Sequence, residues 1–222
     1  MFNTSATHYD SVVSIGLWGK ALNYRSNAIR RAGLKSGMRV LDIGCGTGLM
    51  SAAACDVMDN SGFIVAIDPS SGMLEQAESR VPEIKIQRGS AANTGQENSM
   101  YDFLMMGYAL RHVEGLDLAF TEFFRVMKPG ARFCILELTK PDRSIRGKFL
   151  RFCLKYVWPI LTLLKTRSNS ARKMMSYYWE TIDAVVPPET VKEALRESGF
   201  RGVRRKLRYG ICSEYVGYKP QN

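Results

Sequence analysis

Residues 40–48 read Val40-Leu41-Asp42-Ile43-Gly44-Cys45-Gly46-Thr47-Gly48, and a second apolar run, Val65-Ala66-Ile67, ends in Asp68. A short apolar run that gives way to closely spaced glycines reads as a buried strand turning sharply into a helix. Glycine admits the backbone angles such a turn needs and lets the chain approach a ligand closely. Asp68 falls at the tip of the neighbouring strand. Ligands of open parallel sheets bind just outside the carboxyl ends of the strands. Asp68 is therefore placed to accept the hydroxyls of a ribose, and the loop Gly44–Gly48 to hold the other end of a nucleoside-like ligand.

The spacing of the glycines excludes two ligand classes. A dinucleotide fingerprint needs G-x-G-x-x-G, and Leu49 and Met50 stand where its third glycine would fall. A phosphate loop needs Gly-Lys-Ser/Thr, and no such triplet follows. The Asp-x-Gly-x-Gly-x-Gly arrangement instead resembles the first motif of class I S-adenosylmethionine (SAM) methyltransferases, in which the loop cradles an amino-acid moiety.

Further along, strands are expected at Phe63–Ile67, Ile84–Gln87, Asp102–Met106 and Arg132–Glu137, besides Val40–Ile43. Helices are expected at Thr47–Val57, at Ser70–Ser79 with Ser70 or Ser71 as cap, and at Leu116–Val126. Lys128-Pro129-Gly130 reads as the turn after the last of these. Strands alternating with helices argue for a parallel sheet. Residues 1–37 read as helical and end near Gly37. Val191–Ser198 reads as a helix closed by Gly199, and Val203–Leu207 with Ile211–Tyr218 as an antiparallel hairpin. One domain is expected over 1–222. Within it, 1–37 form a helical cap, 38–139 the cofactor core, 140–185 a basic apolar segment, and 186–222 the closing helix and hairpin.

The net charge of +10 is uneven: residues 1–139 carry −1 and residues 140–222 carry +11. Such asymmetry points to an anionic partner, nucleic acid or membrane, or to a solvated basic face. The stretch Phe149–Lys165 is apolar nearly all round yet punctuated by bases, with Pro159 expected to kink or interrupt a helix there. It reads either as a buried crossover helix or as a segment in a membrane interface, anchored by Tyr156 and Trp158. No apolar run is long enough for a membrane span, and the N-terminus lacks the pattern of a secretory signal. The five cysteines are scattered without a C-x-x-C pair, so free thiols in a cytoplasmic protein are expected and no metal site. Cys45 has no base spaced to activate it and reads as a small side chain in a tight loop.

Three later stretches occur in order: Ala109-Leu110-Arg111-His112-Val113, Phe124-Arg125-Val126-Met127-Lys128-Pro129-Gly130, and Leu136-Glu137-Leu138-Thr139-Lys140-Pro141. Together they resemble the UbiE/COQ5 family of quinone-biosynthesis C-methyltransferases. Looser similarity continues through Tyr156–Leu164 and Tyr177-Tyr178-Trp179-Glu180-Thr181-Ile182. The resemblance implies an α/β, Rossmann-like class I methyltransferase fold: a mostly parallel seven-stranded sheet, helices on both faces, and the C-terminal antiparallel hairpin. It implies SAM as cofactor and a lipophilic quinol as acceptor. His112 departs from the family, which has asparagine there, and Leu49 and Ser90-Ala91 depart less pointedly.

By resemblance, Asp42, Gly44, Gly46, Thr47, Gly48, Asp68, Ser90, Ala91 and Gly107 fall at cofactor positions. Met73 either packs on adenine or fills the core. Arg111 belongs to the proton-handling network. Arginine stays protonated, so its expected role is electrostatic stabilisation of a developing phenolate. His112, with an ordinary pKa near neutrality, is the better general base, or else it only orients the loop. Tyr108, Tyr177 and Tyr178 are candidates for the acceptor pocket, equally readable as core. His8 reads as an exposed side chain near Tyr9-Asp10. A phospholipid amine or another small-molecule acceptor is the alternative to a quinol. Nucleic acid is disfavoured, because the bases are mixed with aliphatics and the strand end Met106-Gly107-Tyr108-Ala109 lacks the Asn/Asp-Pro-Pro-aromatic motif of adenine methylation. Peripheral attachment to the inner membrane surface is expected; a homodimer and a biosynthetic complex are both open.

Overall fold

The structure is a computed structural model that describes residues 21–142, 144–160, 163, 181–182 and 185–221. His8, Tyr9, Asp10, Tyr177, Tyr178 and Trp179 lie outside the described residues. Helix α1 (Ala21–Ala32) leads to strand β1 (Arg39–Ile43), helix α2 (Leu49–Met58), strand β2 (Phe63–Asp68), helix α3 (Ser71–Arg80) and strand β3 (Lys85–Arg88). Strand β4 (Tyr101–Gly107) runs into a 3-10 turn (Leu110–His112), helix α4 (Leu116–Val126) and strand β5 (Met127–Leu138). After helix α5 (Ile145–Phe152) come helix α6 (Pro188–Glu197) and strands β6 (Arg201–Arg208) and β7 (Cys212–Tyr218).

The strands form one seven-stranded sheet in the order β3-β2-β1-β4-β5-β7-β6. The first five are parallel, and β7 runs antiparallel to both β5 and β6. The expected doubly wound sheet with its antiparallel hairpin is thus present. β1 is the middle one of the five parallel strands, and its side chains serve both faces: Val40 joins one core cluster with Ile29, Ala54 and Phe103, while Leu41 and Ile43 join the other with Phe120, Phe123 and Phe200. Alternation along a strand with helices on both sides requires apolar residues at nearly every position. On the second face Phe200 sits edge-on between Phe124 and Phe133, with ring centroids 5.3 Å and 4.9 Å away, a geometry the ring quadrupoles favour.

Three expectations shift. α1 ends at Ala32, because Gly33 takes a φ of 108° that only glycine adopts readily. Lys128-Pro129-Gly130 lies inside β5 and not between elements. Tyr101 pairs with Met127 but Phe103 with Arg132, so these residues form a bulge that accommodates a proline without a ladder donor. Pro159 does not end its helix. Instead, a single π turn over Cys153–Val157 precedes it, and the Trp158 N–H reaches back five residues to the Cys153 carbonyl. The wider turn takes up the bond Pro159 cannot donate and the crowding of its ring.

Candidate active site at the carboxyl edge of the sheet

The glycine loop has the expected form. Gly44, Gly46 and Gly48 adopt φ values of 65°, 54° and 80°. The Gly44 and Cys45 N–H groups both donate to the Ile67 carbonyl, at 2.7 Å and 3.0 Å, stitching the loop to the end of β2. A methyl group on Gly44 would stand 2.6 Å from the Ala109 Cβ, so the loop lies directly against the chain leaving β4. Gly48 caps α2 with no side-chain hydrogen bond, and a Cβ on Gly46 would meet nothing within 4 Å. The Gly44, Cys45, Gly46 and Gly48 N–H groups are engaged within the protein, so what the loop offers a ligand is the open space over Gly46.

Asp68 sits at the tip of β2 as expected. One carboxylate oxygen accepts the Gly46 N–H at 2.9 Å and the other accepts the Ser70 N–H at 2.9 Å. Burial pushes its carboxyl up, and these two bonds oppose that shift. A carboxylate offers about four lone-pair sites, so ribose hydroxyls can be accepted alongside the loop amides. Asp42 is fully buried under the loop, where Ser51 Oγ donates to it at 2.7 Å. Its other oxygen, Oδ1, meets no hydrogen-bond partner among the described residues. Burial pushes this carboxyl up to about 7. A buried, half-satisfied acid beneath an open glycine cradle fits a cofactor that carries an amino-acid moiety and a ribose.

The other predicted cofactor positions converge on the same edge. Ser90 and Asn93 exchange backbone bonds in a tight turn just beyond Gly89, whose N–H donates to the Asp68 carbonyl. Ala91 packs against the second core cluster. Met73 is buried in the first turn of α3, where the Ser70 hydroxyl accepts its N–H, yet it belongs to neither core cluster. Gly107 ends β4, where a Cβ would stand 2.4 Å from Met50 Cγ. The Thr47 carbonyl accepts a 2.7 Å bond from Arg80 Nε, so α3 braces the loop. The Cys45 thiol is buried and pushed well above its usual range by burial and the nearby Asp42 and Asp68, which keeps it protonated and unreactive.

Past β4 the chain departs from the expected site. Tyr108 holds a φ of 61°, a left-handed conformation rare for a bulky residue. Its ring turns inward to the first core cluster, with the Arg25 guanidinium 5.0 Å from its centroid. Arg111 is not an isolated cation. Its Nη1 donates to Glu137 Oε1 at 2.6 Å, and its backbone N–H donates to Glu137 Oε2 at 2.9 Å. Both side chains are nearly fully buried. Glu137, the residue that holds Arg111, was missed as a site residue; the readable signal was a lone acid in the apolar run Phe133–Leu138. His112 corrects the expectation of an imidazole titrating near neutrality. It lies in the open 3-10 turn, but partial burial and the adjacent Arg111 push it down to about 4, so it is neutral at physiological pH and a weak base.

The ubiE/COQ5 methyltransferase family profile matches residues 1–219. The chain belongs to that family. It is 28% identical to a demethylmenaquinone methyltransferase of Symbiobacterium thermophilum, over 99% of this chain and 91% of that protein. A demethylmenaquinone methyltransferase of Staphylococcus aureus is 27% identical over 100% and 92%. Among solved structures, a SAM-dependent methyltransferase from Aquifex aeolicus superposes with a TM-score of 0.64 at 20% identity, covering 87% of this chain and 88% of its own. A SAM-dependent methyltransferase from Thermotoga maritima, described as a possible histamine N-methyltransferase, superposes with a TM-score of 0.68 at 17% identity, covering 98% and 97%. Family membership and the glycine-loop edge agree: the protein is a SAM-dependent methyltransferase.

Proposed function

We propose that this methyltransferase alkylates a ring carbon of a lipophilic quinol of the demethylmenaquinol type. What supports this most is the buried Arg111–Glu137 pair, set two residues beyond Ala109, which itself touches the glycine loop. The full-length similarity to proteins named demethylmenaquinone methyltransferase agrees with it. When bound, SAM supplies a methyl group already activated on a sulfonium. The chain's own task is to place an acceptor carbon in line with that methyl and to handle one proton.

A quinol carbon becomes nucleophilic as a ring hydroxyl loses its proton. Arg111 serves that step electrostatically, because its charge favours the phenolate form in a site removed from bulk water. Glu137 fixes the guanidinium through both its side chain and its backbone. It thereby sets where the positive field points, at the cost of part of that field's strength. His112, neutral at physiological pH, is available to accept the proton weakly or to pass it to solvent. Gly46, where a Cβ would meet nothing within 4 Å, keeps the donor side free of side-chain bulk.

The test gives purified enzyme SAM with either a short-chain demethylmenaquinol or phosphoethanolamine, read by mass spectrometry. The expected result is one added methyl on the quinol ring, with transfer falling at least about a hundredfold in Arg111→Met, the scale on which lost oxyanion donors act. Methylation of the amine alone, or quinol transfer unchanged by Arg111→Met, overturns the reading.

A further inference from the structure

Helix α5 and its continuation through the π turn to Ile160 carry an unusual set of exposed residues. Ile145, Phe149, Phe152, Tyr156 and Ile160 all face solvent, from 51% exposure at Tyr156 to 86% at Ile145. Their spacing of four, three, four and four places them on one helical face. Phe152 and Tyr156 are in ring contact, with centroids 5.4 Å apart, so this part of the stripe is continuous. Single exposed apolar residues need no explanation, but a row of them on one face marks an interaction surface.

The charges beside the stripe decide what it meets. Between Ser144 and Ile160 the chain holds Arg146, Lys148, Arg151 and Lys155 and no acid. At helical spacing Arg146 lies on one shoulder of the stripe, and Lys148 and Lys155 lie on the other. Lys155 stays close, with its Nζ 5.4 Å from the Tyr156 ring. Arg151 instead anchors the helix start, donating from Nε and Nη2 to the Pro141 carbonyl at 3.1 Å and 2.6 Å. The neighbouring hairpin adds to the pattern. A Cβ on Gly210 would lie 3.5 Å from Leu150 Cδ2, so the β6–β7 turn abuts this helix. That turn presents Tyr209 at 74% exposure and follows β6, whose Arg201, Arg204, Arg205, Lys206 and Arg208 have no acid among them.

We infer that this face docks the enzyme on an anionic lipid bilayer, with the helix lying in the interfacial plane. An apolar stripe flanked on both shoulders by bases, with aromatic rings at its middle, matches a helix buried shallowly among headgroups. The basic shoulders and the basic edge strand would face anionic headgroups. A second copy of the chain would bring the same bases against themselves, so charge complementarity disfavours self-association there. No helix among the described residues is long and apolar enough to cross a membrane, consistent with attachment to one leaflet. The docking inference gives the quinol reading its purpose, because a polyprenyl acceptor resides in the bilayer, but it is tested without any acceptor.

The experiment is flotation of the full chain with phosphatidylcholine vesicles, with and without phosphatidylglycerol. Binding is expected to the anionic vesicles and to weaken as salt rises. The double variant Phe149→Ser/Phe152→Ser should bind at least about tenfold more weakly, since two aromatic side chains lose their apolar burial. Lys148→Gln/Lys155→Gln should weaken anionic binding by roughly tenfold while leaving the faint binding to neutral vesicles unchanged. Circular dichroism and SAM binding by calorimetry should match the unsubstituted chain in both variants, which shows that the fold is kept. Wild-type flotation in the apolar variant, or no preference for anionic vesicles, overturns the inference. So does a dimer in light scattering that the apolar variant turns into a monomer. Quinol transfer is assayed separately in detergent, so a failure to float leaves that reading standing, and loss of transfer leaves this one standing.

Discussion

The glycine-loop edge and the helix after Pro141 solve opposite problems. Where the loop backs onto the sheet, space is filled until only glycine fits: Gly44 lies against Ala109 and Gly107 against Met50. Polar groups there are drawn inward and held, as Glu137 holds Arg111. Along α5 the large side chains are left out in water and the bases stand beside them. The contrast separates two uses of binding energy. At the loop, close packing is spent on geometry, which in-line methyl transfer demands. At the helix, apolar area is held in reserve for a partner and contributes little to the fold.

That contrast sets an order of expected effects. The largest belongs to Glu137→Ala, which leaves the Arg111 guanidinium buried beside a cavity. Removing one partner of such a pair costs about 3–5 kcal/mol, to be read as a lowered urea midpoint together with loss of methyl transfer. Glu137→Gln should recover part of the stability but not the transfer rate, separating Arg111's placement from mere folding. An unchanged rate in Glu137→Gln would remove the positioning role.

A smaller effect of opposite sign is expected at Asp42. Its folded carboxyl is raised from 3.8 to about 7, chiefly by burial. Between those values the folded state holds a proton that the unfolded state has released. Stability is therefore fullest below the unfolded value and is lost as pH rises towards about 7. Asp42→Asn should remove that slope and raise stability at pH about 8 by roughly 2–4 kcal/mol. The gain should come with weaker SAM binding in calorimetry, as when a strained site is relieved. A variant no more stable than the parent at alkaline pH would show that the acid is better satisfied than its surroundings imply.

The smallest effect belongs to the exposed stripe. Phe149→Ser/Phe152→Ser should change unfolding free energy by no more than about 0.5 kcal/mol per site, the range of ordinary surface substitutions. A loss of several kcal/mol would mean that these rings belong to the core and would blur the distinction between the two regions.

The two regions also differ in how much of them could be read in advance. The doubly wound order follows from local signals: apolar runs, glycines at φ-positive turns and a capping Ser70. SAM and the family were implied by resemblance, carried by the Gly44-Gly46-Gly48 loop with Asp68 and by the three later motifs. Contacts between distant segments were not legible. Glu137 and Arg111 are 26 positions apart, and only the pairing of β4 with β5 brings them together. His112 is a second case: its pKa is lowered by its own burial first and by the adjacent Arg111 second, and composition reports neither. The stretch Phe149–Lys165 was legible as apolar nearly all round and punctuated by bases, but which of its side chains the fold leaves exposed was not.

The place of β7 carries a consequence for synthesis. It is the last strand among the described residues, yet it lies between β5 and β6 and pairs with β5 from Arg132 to Leu138. As the polypeptide leaves the ribosome, β5 therefore presents an unpaired strand edge until residues near Tyr218 have emerged. Such an edge is a template for mispairing with other chains. The β5 edge of the sheet that carries the site is sealed only once β7 is made, so a nascent chain stopped short of β7 holds the glycine loop without its finished scaffold and is a natural client for chaperones.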